Sequence, residues 1–220
     1  MSSPAPEHRP DTPADRRRRE RMVRALPAGD PTVRAAMAAL PRHVFVPADV
    51  ADRAYDDAAL PIWAGQTISQ PRVVAHMLDL LDLRAGLRVL DIGAGCGYAA
   101  AVIARVVAPG QVIAVERIAD LADRATAACA IHAPGVRIVH GDGLGGDGAD
   151  GPFDRIHAAC QIAALPSVVL DRVAPGGVVV APVGPAAGVQ RLRRMRRGPA
   201  GWEIEDGWEV LFVPGLPGTA

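Results

Sequence analysis

The sequence contains no lysine, few aromatic residues, only three cysteines and no excess of either charge. Its 24 basic residues, all arginine, are balanced by 24 acidic ones, so no global field attracts nucleic acid or an anionic membrane. No apolar run approaches the roughly 20 residues that span a bilayer. The cysteines are far apart, which indicates neither a disulfide framework nor a zinc site. We therefore expect a protein of the reducing cytoplasm with no metal, no nucleic-acid partner and no membrane contact.

The second half of the chain alternates short apolar runs with helical patterns. Half of the 220 residues are apolar, enough for one well-buried domain with a small appendage. Strands are predicted at 87–92, 111–116, 136–139, 153–158 and 178–181, and helices at 97–107, 118–131 and 166–173. Such alternation predicts a parallel sheet covered on both faces, which binds its ligand at the carboxyl ends of the strands.

A glycine-rich loop follows the first of these strands: Asp91-Ile92-Gly93-Ala94-Gly95-Cys96-Gly97. Its glycines permit a positive φ, and the following helix directs free N–H groups towards a ligand. Dinucleotide sites use Gly-x-Gly-x-x-Gly, whereas Gly-x-Gly-x-Gly is usual in S-adenosylmethionine methyltransferases. Glu116 ends the next strand, where an acid binds a ribose. The pattern favours S-adenosylmethionine over a nicotinamide cofactor, with a dehydrogenase as the alternative.

The regions outside this core have distinct compositions. We expect residues 1–20 to be a disordered basic tail, whose arginines are not interleaved with aromatics as in nucleic-acid binding. Residues 21–82 read as a helical cap with a polar loop before Pro71, which opens a helix at 71–81. Residues 83–185 form the cofactor-binding core. Residues 186–220 are predicted to form a hairpin with strands at 190–197 and 208–213.

Several motifs resemble those of the protein L-isoaspartate O-methyltransferases, over about residues 20–215. Thr67-Ile68-Ser69-Gln70-Pro71 is the most specific; by spacing alone Ser69 would be a helix N-cap. The others are Pro41–Pro47, Tyr55 with Asp57, Gly65–Gln66, Asp91–Tyr98, Val115–Arg117, Gly141–Gly143, Pro152–Ile156, Pro175–Gly177 and Phe212–Pro214. The resemblance implies an α/β fold: a class I S-adenosylmethionine-dependent methyltransferase (Rossmann-like) sheet, an N-terminal helical cap and a C-terminal antiparallel β-hairpin.

The resemblance also implies the reaction and the residues that perform it. S-adenosylmethionine would methylate the carboxylate of isoaspartyl (or D-aspartyl) residues in damaged proteins or peptides, giving S-adenosylhomocysteine and an ester that starts repair through a succinimide. Ser69 would be catalytic. The cofactor-binding residues would be Thr67, Ile68, Ser69, Asp91, Gly93, Ala94, Gly95, Gly97, Glu116, Arg117, Gly141 and Asp142. The substrate-binding residues would be Trp63, Gln66, Thr67, Ser69, Gln161 and Val213.

Two departures from the family pattern border the region that would recognise the substrate. Trp63-Ala64 precedes the polar loop, and Cys160-Gln161 stands where the family has small residues. They leave open a relative that methylates a normal aspartate in a dedicated peptide precursor to form an aspartimide. A module that binds S-adenosylmethionine without chemistry is a further alternative. We expect a monomer that acts on isoaspartyl-containing proteins or peptides.

Overall fold

A seven-stranded β-sheet forms the centre of the computed structural model, which describes residues 9–148 and 150–220. A small antiparallel ladder outside it joins β1 (Leu60–Pro61) to β2 (Thr67–Ile68). The sheet strands are β3 (Arg88–Ile92), β4 (Gln111–Glu116), β5 (Val136–His140), β6 (Phe153–Ala158), β7 (Val173–Val183), β8 (Gln190–Gly198) and β9 (Gly201–Val210). Their order is β5-β4-β3-β6-β7-β8-β9, with β3 to β7 parallel and β8 and β9 antiparallel. The predicted α/β class, with its C-terminal antiparallel hairpin, is confirmed.

Helices and apolar side chains cover both faces of this sheet. The helices are α1 (Pro13–Ala25), α2 (Pro31–Ala39), α3 (Pro71–Leu80), α4 (Tyr98–Val107), α5 (Ala119–His132) and α6 (Ser167–Leu170). Val89 of β3 belongs to a core shared with α1 to α5, while its neighbour Leu90 packs on the opposite face with Val169 of α6. Burial on both faces explains why the central strands are continuous apolar runs. None of the helices in the described ranges has the length and apolar composition to cross a bilayer.

The N-terminal segment is more ordered than its composition suggests. Helix α1 begins at Pro13, so the predicted disordered tail is wrong for residues 13–20, while residues 1–8 lie outside the described part of the chain. Thr12 and Asp15 form a reciprocal capping box, in which each side chain accepts the other residue's backbone N–H. Arg19 is buried and donates to the carbonyl of Ala38 over 2.7 Å. The arginine run is therefore part of a docked helix, in which Arg19 points inward and Arg16, Arg17 and Arg18 are exposed.

The C-terminal hairpin is longer than predicted. Strand β9 is Gly201–Val210, so the second strand predicted at 208–213 is correct for 208–210 and wrong for 211–213, and only two residues separate β8 from β9. Charged pairs across the two strands explain the difference, since Arg193 lies 2.7 Å from Asp206 and Arg196 lies 3.2 Å from Glu203. Cross-strand pairs of opposite charge stabilise a sheet without an apolar alternation that a sequence pattern would reveal.

Strand β7 also departs from the sequence expectation. It begins at Val173, and the predicted helix at 166–173 is reduced to Ser167–Leu170. The Pro175–Gly177 segment forms a bulge within the strand: Phe153 pairs with Val173 and Arg155 with Val178. The extra residues are accommodated by Gly176, whose φ is 75°.

Gly97, at the N-terminus of α4, packs closely against α5, and a substitution there tests how tightly the glycine loop is packed. Its φ is 86°, and an added Cβ would lie 3.0 Å from Cys129 Sγ and 3.2 Å from Ala125 Cβ on α5. We therefore expect Gly97→Ala to lower the free energy of unfolding by about 1–3 kcal/mol, measured by urea denaturation. Gly135→Ala is the matched control, because a Cβ there would meet nothing within 4 Å. Equal effects of the two changes would contradict this packing role.

Candidate cofactor and substrate site

Three adjoining cavities open at the carboxyl ends of the parallel strands. We call them the main cleft, the inner pocket and the open groove; Thr67 and Ala159 line all three. The main cleft has a cavity volume of about 130 Å³ and opens to solvent. The cavities lie where the strand order reverses: β3 is followed in sequence by β4 on one side and contacts β6 on the other. This reversal is where open α/β sheets bind ligands.

The glycine-rich loop forms the floor between the main cleft and the inner pocket. Gly93 and Gly95 line both cavities and have φ values of 80° and 55°, which a glycine adopts without steric cost. The loop folds back over β4, because the backbone N–H groups of Gly93 and Ala94 both donate to the carbonyl of Val115, over 2.9 and 3.1 Å. Backbone, rather than side chains, is thereby exposed to a ligand.

Glu116 places a carboxylate at the edge of the main cleft. It ends β4, is only 4% exposed, and accepts N–H groups from Gly95 over 2.7 Å and from Ile118 over 3.0 Å. Burial raises the pKa of the Glu116 carboxyl above its ordinary value, opposed by these backbone hydrogen bonds. A carboxylate has about four lone-pair positions, so acceptor capacity is left for ligand hydroxyls.

A buried carboxylate–imidazole pair lies beneath the glycine loop. Asp91 and His157 are register partners on β3 and β6, and His157 Nδ1 donates to Asp91 Oδ1 over 2.6 Å. Among the described residues, neither Asp91 Oδ2 nor His157 Nε2 has a hydrogen-bond partner. A buried unpaired polar atom costs about 1–3 kcal/mol. His157 lines the inner pocket, so its unpartnered Nε2 lies next to a cavity in which a polar group would find a hydrogen-bond partner.

Residues 211–220, here called the C-terminal tail, border the main cleft. The carboxylate of Asp142 accepts the N–H of Gly218 over 2.6 Å and that of Gly145 over 2.8 Å. Arg117 Nε donates to the carbonyl of Gly218 over 2.9 Å, and Ala220 N–H donates to the carbonyl of Arg117 over 2.8 Å. Both Arg117 and Asp142, which the resemblance implies as cofactor-binding residues, line the cleft and also hold the tail.

Ser69 lies on the boundary between the inner pocket and the open groove, and lines both. Its hydroxyl makes no hydrogen bond within the described residues, whereas its carbonyl accepts Arg42 Nη2 over 2.8 Å. Gln70, not Ser69, is the N-cap residue of α3, and no side chain caps that helix. The cap interpretation of Ser69 therefore has no support in the geometry, and the hydroxyl is available to a ligand.

Most other predicted site residues also line these cavities. Ile68 and Ala94 line the inner pocket, Gly141 the main cleft, and Val213 both the main cleft and the open groove. Gln66 was predicted to bind the substrate but lines the main cleft instead of the open groove. These placements gather segments that are more than 140 residues apart at one edge of the sheet.

Three predicted site residues lie outside the three cavities and contact other parts of the protein. The guanidinium of Arg124 lies 4.5 Å from the Trp63 ring centre, and Trp63 packs against the main core. Gln161 is buried and donates from its amide to the carbonyl of Gly184 over 2.6 Å, so it is committed within the protein. Gly97 packs α4 against α5, as described above. None of the three lines the three cavities.

The cavities also contain residues that the sequence did not single out. In the open groove these are Val189, Glu209 and Leu211, and in the main cleft Ile118 and Leu144. Val189 and Leu211 are 52% and 75% exposed, which is unusual for aliphatic side chains and forms an apolar rim. Exposure of this kind depends on how the hairpin and the C-terminal tail are folded, and no local sequence pattern encodes it.

Comparison with known proteins identifies relatives over nearly the whole chain. The family model described as protein-L-isoaspartate(D-aspartate) O-methyltransferase matches residues 17–218. The protein-L-isoaspartate O-methyltransferase of Methylorubrum populi is 48% identical over 184 residues, or 84% of this chain and 86% of the relative. The corresponding enzyme 2 of Rhodopseudomonas palustris is 46% identical over 186 residues, or 84% of this chain and 85% of the relative.

A solved structure supports the fold independently. A crystal structure from Plasmodium falciparum, described as a protein-L-isoaspartate O-methyltransferase in complex with S-adenosyl-L-homocysteine, matches with a TM-score of 0.78 at 22% identity. The match covers 90% of this chain and 98% of that one. At this identity the likeness concerns the fold alone; the family follows from the model match and the two bacterial relatives. The chain belongs to the protein-L-isoaspartate(D-aspartate) O-methyltransferase family.

Proposed function

We propose that this protein transfers a methyl group from S-adenosylmethionine to the carboxylate of isoaspartyl residues in damaged proteins or peptides. One observation carries the proposal most directly: the unpaired hydroxyl of Ser69 lies between the open groove and the inner pocket, next to the glycine loop. A group bound in the pocket and a peptide carboxylate in the groove would both reach it. The family to which the chain belongs supports the same reaction.

The residues of the main cleft and inner pocket suit S-adenosylmethionine. Glu116 offers acceptor capacity for the two ribose hydroxyls, and Ile118 and Leu144 offer apolar surface for the adenine. The orphaned atoms of Asp91 and His157, together with the exposed backbone of the glycine loop, suit the charged amino-acid end. When bound there, the cofactor supplies a methyl group on a sulfonium, an electrophile that needs no further activation.

The protein then has little acid–base chemistry to perform. A carboxylate is already ionised at neutral pH, so no general base has to remove a proton from it. Ser69 donates one hydrogen bond to the carboxylate, which orients it without neutralising its charge. Phe212 and Val213 line the groove with apolar surface that limits the access of water to the reacting oxygen. Catalysis is therefore mainly positioning.

The lining of the open groove helps to decide between two kinds of substrate: segments of many damaged proteins, or one dedicated precursor peptide. Its rim includes the exposed Val189 and Leu211, and its one acidic residue, Glu209, already pairs with Arg191 over 2.8 Å. An apolar rim whose single acidic residue is paired can contact many peptide substrates, because it offers no unpaired charge that would select one peptide sequence. This favours segments of many damaged proteins over a single precursor peptide, which we retain as the alternative substrate.

Two synthetic peptides test the proposal. They are identical except that one carries isoaspartate and the other aspartate at a single position, and transfer is measured from labelled S-adenosylmethionine. We expect transfer to the isoaspartyl peptide and little to the aspartyl one. In isoaspartate the backbone runs through the β-carboxyl and gains a methylene, so the free group is the α-carboxylate, which is attached directly to Cα and reaches Ser69 from a different position than the side-chain carboxylate of aspartate.

Each other result changes the conclusion. Equal transfer to both peptides would contradict isoaspartyl selectivity. No transfer to either, with S-adenosylhomocysteine still bound in calorimetry, would indicate a dedicated peptide or a module without chemistry. Stabilisation by nicotinamide nucleotides but not by S-adenosylhomocysteine would support a dehydrogenase.

We further propose that the enzyme acts as a monomer in the cytoplasm. Ser69, the glycine loop and Glu116, which carry the proposed chemistry, all belong to one copy of the chain. All three cysteines are buried and unpaired, as is usual for proteins of a reducing compartment. Light scattering during size-exclusion chromatography would test the oligomeric state; a mass of twice 22.9 kDa would contradict the monomer.

A further inference from the structure

In the part of the chain that the structure describes, Arg42 is a buried cation without an acidic partner. It begins the short helical turn Arg42–Phe45 and has no solvent-exposed surface. Within residues 9–148 and 150–220 it forms no ion pair, and its Nη1 has no hydrogen-bond partner. Burial lowers the pKa of this guanidinium from its ordinary value, although an arginine stays protonated in proteins. Keeping such a charge in the interior is costly, so its contacts need an explanation.

Those contacts link three parts of the chain that surround Ser69. Arg42 Nε donates to the carbonyl of Ala54 over 2.8 Å, and Nη2 donates to the carbonyl of Ser69 over 2.8 Å. The guanidinium carbon lies 4.9 Å from the ring centre of Tyr98, the first residue of α4 after the glycine loop. One side chain thereby connects the N-terminal cap, the Ser69 loop and the helix that follows the glycine loop.

The Ser69 loop, here the residues Ser69 and Gln70 between β2 and α3, has few other hydrogen bonds to the rest of the protein. The β1–β2 ladder ends with the pair Leu60 and Ile68, and the first backbone bonds of α3 use the carbonyl of Gln70. Among the described residues, the only hydrogen bond that Ser69 makes is the one from Arg42. Removing it would release the backbone of the residue whose hydroxyl must be held in place.

We propose that Arg42 is a positioning residue, which fixes the backbone of Ser69 so that its hydroxyl is directed to the boundary of the inner pocket and the open groove. The inference rests on the proposed role of Ser69 in orienting the substrate carboxylate. The planar guanidinium of arginine carries several N–H donors that point in fixed, different directions, so it can bind two carbonyls at once. The single ammonium group of lysine cannot reproduce this geometry. A displacement of about 1 Å at a reacting group can cost 100-fold in rate.

The test compares Arg42→Lys with Arg155→Lys. Arg155 is a matched control because it is also buried and also donates to backbone carbonyls, those of Leu81 and Asp82, which do not line the three cavities. We expect Arg42→Lys to lower kcat by about tenfold, while the Kd for S-adenosylhomocysteine and the KM for the isoaspartyl peptide change less than about twofold. Arg155→Lys should leave all three within about twofold, even if both variants lose stability.

Two further readouts separate positioning from general damage. Arg42→Lys should have little additional effect on kcat in a Ser69→Ala background, because its effect passes through the Ser69 hydroxyl. Amide hydrogen exchange in the peptide covering residues 66–72 should be faster in Arg42→Lys than in Arg155→Lys. If Arg42→Lys does not fold, Arg42→Gln, which keeps one amide donor, replaces it in the same comparisons.

Three results would overturn the inference: wild-type kcat in Arg42→Lys, an equal loss of kcat in the Ser69→Ala background, or unchanged exchange at residues 66–72. Failure of the proposed function is distinguishable, because it would appear in the wild-type enzyme as an absence of transfer to the isoaspartyl peptide. The exchange measurement tests the role of Arg42 even in that case.

Discussion

Replacement of Ser69 by alanine is expected to lower kcat by about 100-fold, because a donor to a charged group contributes about 1.5–3 kcal/mol and its loss also frees the carboxylate to rotate. The Kd for S-adenosylhomocysteine should change less than about threefold, since this product lacks the carboxylate that Ser69 orients. Initial rates with the isoaspartyl peptide and calorimetry with S-adenosylhomocysteine measure the two quantities.

Ser167→Ala provides the matched control for this experiment. Ser167 is an exposed serine at the start of α6 and lines none of the three cavities, so its loss should leave kcat unchanged. Ser69→Thr, which keeps the hydroxyl, should retain more activity than Ser69→Ala. A similar loss of turnover and of cofactor affinity in Ser69→Ala would mean that Ser69 acts structurally after all.

Glu116→Gln is expected to weaken S-adenosylhomocysteine binding by about 10–100-fold, because hydrogen bonds to a charged acceptor contribute about 1.5–3 kcal/mol. The pH dependence follows from the raised pKa of Glu116. The carboxylate that accepts the ribose hydroxyls exists only above this pKa, so affinity should fall as the pH drops through it, by at most about tenfold per pH unit. The fall should begin above the ordinary range of a glutamate.

The raised pKa of Glu116 has the opposite effect on the free energy of unfolding, which falls as the pH rises. Because burial raises the folded-state pKa above the unfolded one, Glu116 stabilises the fold at low pH, and this contribution is lost as the pH rises through the folded value.

Calorimetric titration with S-adenosylhomocysteine between pH 5 and 8 measures how the affinity depends on pH, with Glu205→Gln on the exposed hairpin as the control. Glu116→Gln should show a flatter profile; a wild-type slope in this variant would assign the titration to another group.

The cofactor side of the site could be predicted because its chemistry is local in sequence. The glycines of the loop need positive φ, the strand before it is apolar on both faces, and Glu116 ends the neighbouring strand; each property is visible within a few residues. The parallel sheet then follows from the alternation of strands and helices. Ser69 was identified only through the resemblance, since spacing alone favoured a helix cap that the structure does not form.

What escaped prediction depends on contacts between distant segments. Gln161 resembles a residue available to a substrate, but the carbonyl of Gly184, 23 positions later, takes its amide. Strand β9 is specified by its arginine–acid pairs with β8, not by apolar alternation. Arg42 carries a charge that a sequence reading assigns to the surface, and only the fold reveals which carbonyls it meets.

The contacts of the C-terminal tail affect where a fluorophore or an affinity tag can be attached without disturbing the main cleft. Ala220 is joined through its own N–H and carbonyl to Arg117 and Ala119, beside the main cleft, so an attachment there would disturb the rim. At the opposite end of the described chain, Arg9 pairs with Asp15 and Asp52, and none of these three residues borders the three cavities.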